Sequence, residues 1–561
     1  MGSSISFRHL LAAWLLIAAT ISSVVAAADP PPGPQPSAPA SAGLQDFDQR
    51  VAKLIQPLAD EQIVAALAIG VIDGRAIDAQ DASKSLAPSA DDRGPVHLAR
   101  FGGAATRWYF IGRVNDDRPR VPDRNTLFEI GSVSKTFTAL LLADMVERGE
   151  VSLDDPVQKY LPADVPTTSR DGRPITLLQL ATHTSGLPRM PSNFTPTDIA
   201  NPYADYDEQN LYEYFRKARR LREPGGKPAY SNLGMGLLGH ALALAAGKPY
   251  EQLIEERICQ PLGMTRTRIT LDDVLRADLA QAHDGDGAAV KPWDLNVLAG
   301  AGGIRSDAFD MLAYAAAQMA LVDTPLKKAI ALSHEPRVKS GSGDGAVALA
   351  WHILPDGRTI MHNGQTGGYH SIVALRPDLK LGVVVLASTA WQGVDLVGYG
   401  LLSMLQGRKP GPLPYRHMAK LSADALDRFV GKYEMTGIPA VMTIRRDGER
   451  LFAQLTGQPE VRVYPASEKE LFYRVVEARL EFGVVEETAD ADAGKPDAAD
   501  ATKPDTANPE DEKPAVEPSD DGPYPGFVLF QNGQRVPAKR VAAKADDEKP
   551  SETQPADSSA K

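Results

Sequence analysis

Apolar runs of strand length stand at both ends of a long helical stretch, and that arrangement restricts the fold more than any other feature. The runs "IVAALAIGVID" (63–73) and "TRWYFIGRV" (106–114) have the length and residue types of strands. A helical pattern near Asp46 to Leu58 precedes them. Far downstream, "GRTIMHNGQTGGYHSIVALRPDLKLGVVVLAS" (357–388) gives three more strand patterns joined by turn residues, followed by a helical run from Val394 to Leu405. Strands at both ends of a helical segment predict an α/β domain whose sheet pairs its N- and C-terminal parts and which carries an all-α insert.

That block spans about 44–407, and a second, smaller one follows at 421–540. It alternates apolar and polar residues in "AVMTIRRDGERLFAQLTG", where Asp447-Gly448 is a hairpin turn signal, and continues through "LFYRVV", "LEFGVV" and "FVLFQNG". The pattern predicts a small antiparallel barrel or sandwich. The chain of 561 residues, 43% of them hydrophobic, has room for both cores.

The formal net charge of -12 argues against a nucleic-acid partner, but it is unevenly spread. Residues 488–522 hold eleven Asp or Glu and three Lys, a local balance of 3 − 11 = −8. With no aromatic residue, Leu or Ile, that segment has little apolar surface to offset its ordering entropy, and it reads as a disordered acidic insertion. The tail, 541–561, reads the same way. Residues 29–43, "DPPPGPQPSAPASAG", read as a Pro-rich linker.

At the N-terminus, Arg8 and His9 precede an apolar run from Leu10 to Val25 that ends in Ala26, Ala27 and Ala28, the pattern of a signal peptide over 1–28. An uncleaved membrane anchor is the alternative; with cleavage, the protein is exported to the periplasm or beyond and keeps no membrane span. No cysteine follows the apolar run, which excludes a lipoprotein anchor. Cys259 is the only cysteine, so no internal disulfide exists, and its thiol reads as a core atom.

The stretch "FEIGSVSKTFTALLLADMVERGE" (128–150) places Ser132 and Lys135 three residues apart at the entry to what reads as an amphipathic helix, with Phe137, Leu140, Leu141 and Met145 as its stripe and Gly149 as its stop. Residues i and i+3 are neighbours on one helical surface. A serine at the positive end of the helix dipole, with a desolvated lysine one turn on, is a nucleophile beside a base. The spacing alone does not decide, because Ser558 and Lys561 repeat it in the tail.

The octet "FEIGSVSK" resembles the active-site signature of class C β-lactamases and the related penicillin-recognising serine hydrolases, which include DD-peptidases and esterases. Two further elements of that family have counterparts in the expected order. Tyr230-Ser231-Asn232 matches its Tyr-x-Asn element, and His362-Asn363-Gly364 falls where Lys-Thr-Gly is usual. "ITLLQLATHTSGLP", "ICQPLGMTRT" and "AGGIRSDAFDM" look like the family too, so the resemblance covers roughly 62–407. It implies an antiparallel sheet with flanking helices and an all-α insert. The C-terminal block, opening at "RFVGKYE", resembles the lipocalin-like barrel often appended to such hydrolases.

Alone, Tyr230 could be a partly buried aromatic and Asn232 a helix cap. His-x-Gly also recurs at His283-Asp284-Gly285, a turn-rich loop without a following strand. His183 could invite a Ser-His-Asp reading, but it sits in a stretch that looks like a structural loop of the family. No His/Cys/Asp cluster has zinc-ligand spacing.

The resemblance implies acyl transfer in two steps without a metal or organic cofactor. Ser132 attacks a carbonyl, Lys135 and Tyr230 share its proton, and the backbone N–H groups of Ser132 and Gln365 hold the oxyanion. Asn232 then contacts the substrate's amide side chain, and His362, with Gly364 and Gln365, faces its carboxylate. The substrate is a β-lactam or a peptidoglycan-like acyl compound. A class C β-lactamase usually carries lysine where His362 stands, and histidine is commoner among the DD-peptidase and esterase relatives. Serine β-lactamase activity is the first expectation; D-alanyl or D-amino-acid peptidase or esterase action, and a sensor that acylates and stalls, are the alternatives. A histidine titrating near 6.5 would gain charge, and grip on a carboxylate, as pH falls toward that value.

Overall fold

The computed structural model describes residues 40–75, 96–101, 104–117, 120–167, 172–217, 223–341, 345–413, 415–458, 460–474, 476, 478–483, 522–531 and 534–541. The leader (1–28), most of the linker, the acidic insertion apart from Gly522, and the tail apart from Val541 lie outside them, as does the second Ser-x-x-Lys at Ser558. Two compact units divide at Pro414 and Tyr415.

In the first unit a long helix, α1 (Ala40–Asp60), precedes the strands. It begins inside the stretch read as linker, because Ala40, Ala42 and Gly43 follow the last proline and nothing there forbids helix. The sheet has nine strands in the order β2-β3-β1-β11-β10-β9-β8-β7-β6. They are β1 (Ala66–Asp73), β2 (Val96–Phe101), β3 (Ala104–Gly112), β6 (Val338–Lys339), β7 (Ala346–Val347), β8 (His352–Ile353), β9 (Ile360–Gln365), β10 (His370–Arg376) and β11 (Leu381–Ala387); a separate two-stranded pair joins β4 (Phe128–Glu129) to β5 (Arg305–Ser306). All pairings are antiparallel. Strand β1 lies between β3 and β11, with Leu67 opposite Ile111 and Ala387, so the two ends of the unit close one sheet as the apolar runs predict.

Strand β1 is apolar almost continuously because both of its faces are covered. Ala66, Ala68 and Ile72 join the large cluster containing helices α2 (Ser134–Glu147), α3 (Asn232–Ala246) and α4 (Ala308–Gln318). Leu67, Ile69 and Val71, whose side chains point the other way, are equally buried. The helical insert shares this one core with the sheet. Helix α5 (Val394–Leu405) follows the last strand.

Helix α2 departs from the amphipathic expectation. Every residue from Ser134 to Met145 is buried. Its polar side chains satisfy themselves inside the protein: the Thr136 hydroxyl donates to the Val133 carbonyl at 2.8 Å and that of Thr138 to the Gly300 carbonyl at 2.7 Å. A polar-looking face is thus a second interior face.

The second unit is a closed eight-stranded barrel, each strand pairing with the next and the last with the first. Its strands are β12 (Gly431–Met435), β13 (Val441–Asp447), β14 (Arg450–Leu455), β15 (Val461–Ser467), β16 (Glu470–Phe472), β17 (Ala478–Phe482), β18 (Gly526–Gln531) and β19 (Gln534–Arg540). Asp447 pairs with Arg450 across the hairpin that Asp447-Gly448 signals, with Gly448 at φ +58°. Inside, Phe482 lies 4.9 Å from Phe429, 5.3 Å from Tyr524 and 5.2 Å from Phe527. The acidic insertion falls between β17 and β18.

Candidate active site

Chain geometry brings the turn that carries Ser132 against β9, an interior strand of the sheet. After β4 the backbone enters a short 3-10 turn, Gly131–Val133, before α2 begins at Ser134. Ser132 therefore stands one turn ahead of the α-helix rather than in its first turn. Gly131 adopts φ +49°, and a Cβ there would lie 2.8 Å from the Gln365 nitrogen. A Cβ on Gly364 would lie 2.0 Å from the Ile130 carbonyl and 2.8 Å from the Ser132 nitrogen. Two facing glycines thus let β9 touch the serine turn, with the amide nitrogens of Ser132 and Gln365 flanking the contact. The Ser371 hydroxyl, opposite Gly364 on β10, donates to the Ile130 carbonyl at 2.8 Å and fixes the same approach.

Lys135, fully buried, reaches back along the helix to place its Nζ 2.9 Å from the Ser132 Oγ and 2.5 Å from the Ala301 carbonyl. Burial, and then the charge of Arg189, hold its pKa well below the usual lysine value. A neutral amine donates one proton to Ala301 and offers its lone pair to the serine hydroxyl, whereas an ammonium could only donate.

Tyr230 comes from the segment that leads into α3, where the Ser231 hydroxyl, not Asn232, caps the helix by accepting the Gly234 N–H. The Lys135 Nζ lies 4.8 Å from the Tyr230 ring centre. Enclosed by protein but partly open to solvent, the phenol is pushed up to about 12 by burial; the Ser132 hydroxyl and Arg189 oppose the rise. Asn232 donates through its backbone to the Arg189 carbonyl at 3.0 Å, and its Oδ1 is a buried acceptor without a partner among the described residues.

His362 is 1% exposed on β9. Its Nδ1 lies 2.6 Å from the Asn363 carbonyl, which only accepts, so Nδ1 carries the proton and Nε2 is left as a buried, unpartnered acceptor. Burial, followed by His352 (ring centres 5.2 Å apart) and Lys135, holds its pKa well below 6.5. The lowered pKa runs against the expected acid-side gain, because less of this imidazole is charged at a given pH than in a free histidine. The competing His283 lies elsewhere, with its Nδ1 3.2 Å from the Ser388 carbonyl and its Nε2 3.5 Å from Asp116.

Three side chains join this group that spacing did not single out. His183, at φ +59°, accepts the Ser231 N–H on Nδ1 at 3.2 Å, and its carbonyl accepts the Ala229 N–H, so it clamps the backbone on both sides of Tyr230 with its ring 4.5 Å away. His352 flanks His362 from β8. Arg189 holds its guanidinium 5.2 Å from the centre of the Tyr230 ring. The stretch "HTSGLPR" contains two of the three, and its resemblance to a family loop was the only available signal. Behind β9, Asp395 on α5 accepts from the Asn363 amide at 2.6 Å and pairs with His370 Nε2 at 2.8 Å, tying the strand to the helix behind it.

Cavities of about 410 and 650 Å³ beside Tyr250 and Asn296 contain none of these residues. Chemistry rather than concavity marks the site: a serine, a lysine whose pKa burial lowers, a phenol and two flanking amide nitrogens can carry out acyl transfer. Cys259 is buried, and burial raises its thiol pKa, as suits a core atom. Among the described residues no group of three or more His, Cys, Asp or Glu could hold a metal ion.

The Beta-lactamase family profile matches residues 51–395. The chain is 28% identical over 389 residues to a beta-lactamase of Pseudomonas fluorescens, covering 63% of this chain and 96% of that protein. It is 30% identical over 314 residues to the D-alanyl-D-alanine-carboxypeptidase/endopeptidase AmpH of Escherichia coli (strain K12), covering 52% and 80% respectively. Among solved structures, a class C beta lactamase from Rhodobacter sphaeroides matches with a TM-score of 0.52 at 26% identity, and the D-alanine carboxypeptidase AmpC from Burkholderia cenocepacia with 0.51 at 27%; each comparison covers 64% of this chain and 99% of the other.

Proposed function

This chain belongs to the Beta-lactamase family, and from that premise we propose that it is a class C-type serine β-lactamase that opens its substrate's amide through an acyl-enzyme on Ser132. The observation that carries the reading is the 2.9 Å contact between the Ser132 hydroxyl and a lysine whose charge is suppressed by burial. Lys135 takes the hydroxyl proton as Ser132 attacks the carbonyl carbon. The carbonyl oxygen, now negative, sits between the N–H groups of Ser132 and Gln365; loss of one such donor typically costs about 10²–10³ in rate. Tyr230 passes a proton to the leaving nitrogen, whose bond to carbon breaks, and then draws a proton from the water that frees Ser132. Asn232 contacts the substrate's amide, and His362 and Gly364 line the opposite wall.

The second reading, D-alanyl-D-alanine carboxypeptidase or carboxylesterase action, is favoured by His362 itself. A buried neutral imidazole cannot supply the permanent charge of the usual lysine, and a site without that charge tolerates substrates that lack a carboxylate there. A sensor that acylates but does not turn over would show fast labelling and negligible deacylation. Residues 1–28 suit export, so the reaction takes place in the periplasm or outside the cell, where a β-lactamase would raise antibiotic resistance; among the described residues no helix is long and apolar enough to cross a membrane.

The test compares kcat/KM for nitrocefin, a D-Ala-D-Ala peptide and a short-chain p-nitrophenyl ester. Nitrocefin should lead. A peptide or ester faster by tenfold or more would replace the first reading with the second, and acylation without turnover of any of the three would leave the sensor.

A further inference from the structure

The groups around Tyr230 share one electrostatic property. Lys135, His183 and Tyr230 all feel the charge of Arg189, and no carboxylate contributes to their shifts. Asp395, behind β9, is already engaged by Asn363 and His370. The site thus lacks an internal counter-ion.

Arg189 is where that deficit becomes accessible. Arg189 is an exposed residue and makes no ion pair or hydrogen bond among the described residues, whereas Arg173, Arg216, Arg266 and Arg305 each pair with an acid. Its backbone is fixed, because the Arg189 carbonyl accepts the N–H groups of Asn232 at 3.0 Å and Leu233 at 3.2 Å. Stacking over Tyr230 orients the side chain at little further entropic cost. Beside it, Asn232 Oδ1 lacks a donor. An unfilled acceptor on a residue whose backbone bonds to that of an unpaired planar cation is complementary to an amide N–H followed by a carboxylate, as in an N-acylated amino acid.

We propose that Arg189 is a specificity-determining residue that pairs with a carboxylate on the acyl arm of the substrate, so that this enzyme prefers acyl groups carrying an amide and a free acid. The proposal rests on the acyl-transfer reading above and names the substrate class for it. It moves charge recognition away from His362, whose Nε2 can only accept a hydrogen bond.

The experiment measures kcat/KM for two pairs that differ by one acyl-arm carboxylate: p-nitrophenyl hydrogen glutarate against p-nitrophenyl butyrate, and carbenicillin against benzylpenicillin. The wild-type protein should prefer the acid of each pair. Arg189→Gln should lower that preference roughly tenfold, mainly through KM, as loss of a charged hydrogen bond predicts; Arg189→Lys should recover part of it. The wild-type preference should also fall as salt rises, and that of Arg189→Gln should not. An unchanged preference ratio in Arg189→Gln, or an equal loss on both members of a pair, overturns the proposal. Failure of the β-lactamase reading looks different: the penicillins are not turned over, while the ester pair, or the rate of Ser132 acylation if turnover stalls, still reports the ratio.

Discussion

The two units fill their interiors in opposite ways. In the barrel, Phe429, Tyr433, Phe482, Tyr524 and Phe527 pack ring against ring, and the tyrosines find backbone carbonyls for their hydroxyls. In the hydrolase unit the interior holds Lys135, Glu129, Arg305, Asp307, Asp310 and His362; among the described residues every buried polar or charged side chain other than tyrosine lies between Thr106 and Thr389. Several have atoms with no partner, including Glu129 Oε2, His183 Nε2, Asn232 Oδ1 and His362 Nε2. Such groups cost free energy unless something later satisfies them. His183 and His362, which surround Tyr230, are among them, and the barrel interior is built from apolar and aromatic side chains instead.

The largest test removes the nucleophile. Ser132→Ala should lower turnover of any working substrate by at least about 10⁴-fold, with the melting temperature nearly unchanged. Labelling by a fluorescent penicillin should vanish with it; a labelled Ser132→Ala protein would mean another residue is acylated.

Two glycines then give matched perturbations. A Cβ on Gly364 would meet the Ile130 carbonyl at 2.0 Å, and one on Gly526 in the barrel would meet the Ala538 carbonyl at 2.3 Å. Gly364→Ala should reduce turnover by about 10²–10³-fold because it forces β9 off the serine turn. Gly526→Ala should cost the barrel about 1–3 kcal/mol of overpacking strain and leave acylation of Ser132 intact. Equal losses of activity in both variants would break the division of labour.

A smaller effect should run in the opposite direction. Lys135→Met should abolish catalysis, yet it replaces a desolvated amine with an apolar side chain of similar length and should raise the melting temperature by roughly a few degrees. The sign follows from linkage: between the lowered folded-state pKa and the unfolded value near 10.5, the unfolded chain binds the extra proton. The penalty from Lys135 is therefore full below the folded pKa and is relieved as pH rises toward 10.5, and the stabilisation by Met should shrink along the same interval.

The smallest expected effect concerns acid. His183, His352 and His362 all have folded-state pKa values lowered by burial, so below about 6.5 the unfolded chain binds more protons and stability falls as pH falls. His362→Asn should lose less melting temperature than the wild type between pH 7 and pH 5. A variant that tracks the wild type over that range would show that His362 is charged in the folded state after all.

Much of this was legible in the sequence. Alternation and apolar runs located β1, β3, β9, β10, β11 and the barrel hairpin, since each strand's burial is written at period two or as a continuous run. Motif order brought Ser132, Lys135, Tyr230 and Asn232 together as candidates, and the Lys135 Nζ lies 2.9 Å from the Ser132 hydroxyl and 4.8 Å from the Tyr230 ring centre. What escaped depends on tertiary surroundings. Ser134, Thr136 and Thr138 made α2 look amphipathic because a hydroxyl that satisfies itself against a carbonyl is indistinguishable, in sequence, from one facing water. The lowered pKa of His362 comes from burial first and then from His352 and Lys135, which lie on two other elements, and no local pattern records that meeting. The stacking of Arg189 over Tyr230 likewise depends on a residue forty-one positions away.

The closure of β1 against β11 has a kinetic consequence. The serine turn and Gln365 are separated by 365 − 132 = 233 residues, and they meet only through a sheet that joins the two ends of the unit. Contacts of such sequence separation form late, because a long loop must be closed before any of them is rewarded. The local hairpins of the barrel face no comparable search. During refolding, recovery of acylation should therefore lag behind the return of secondary structure, making catalytic competence itself the reporter of the final long-range step.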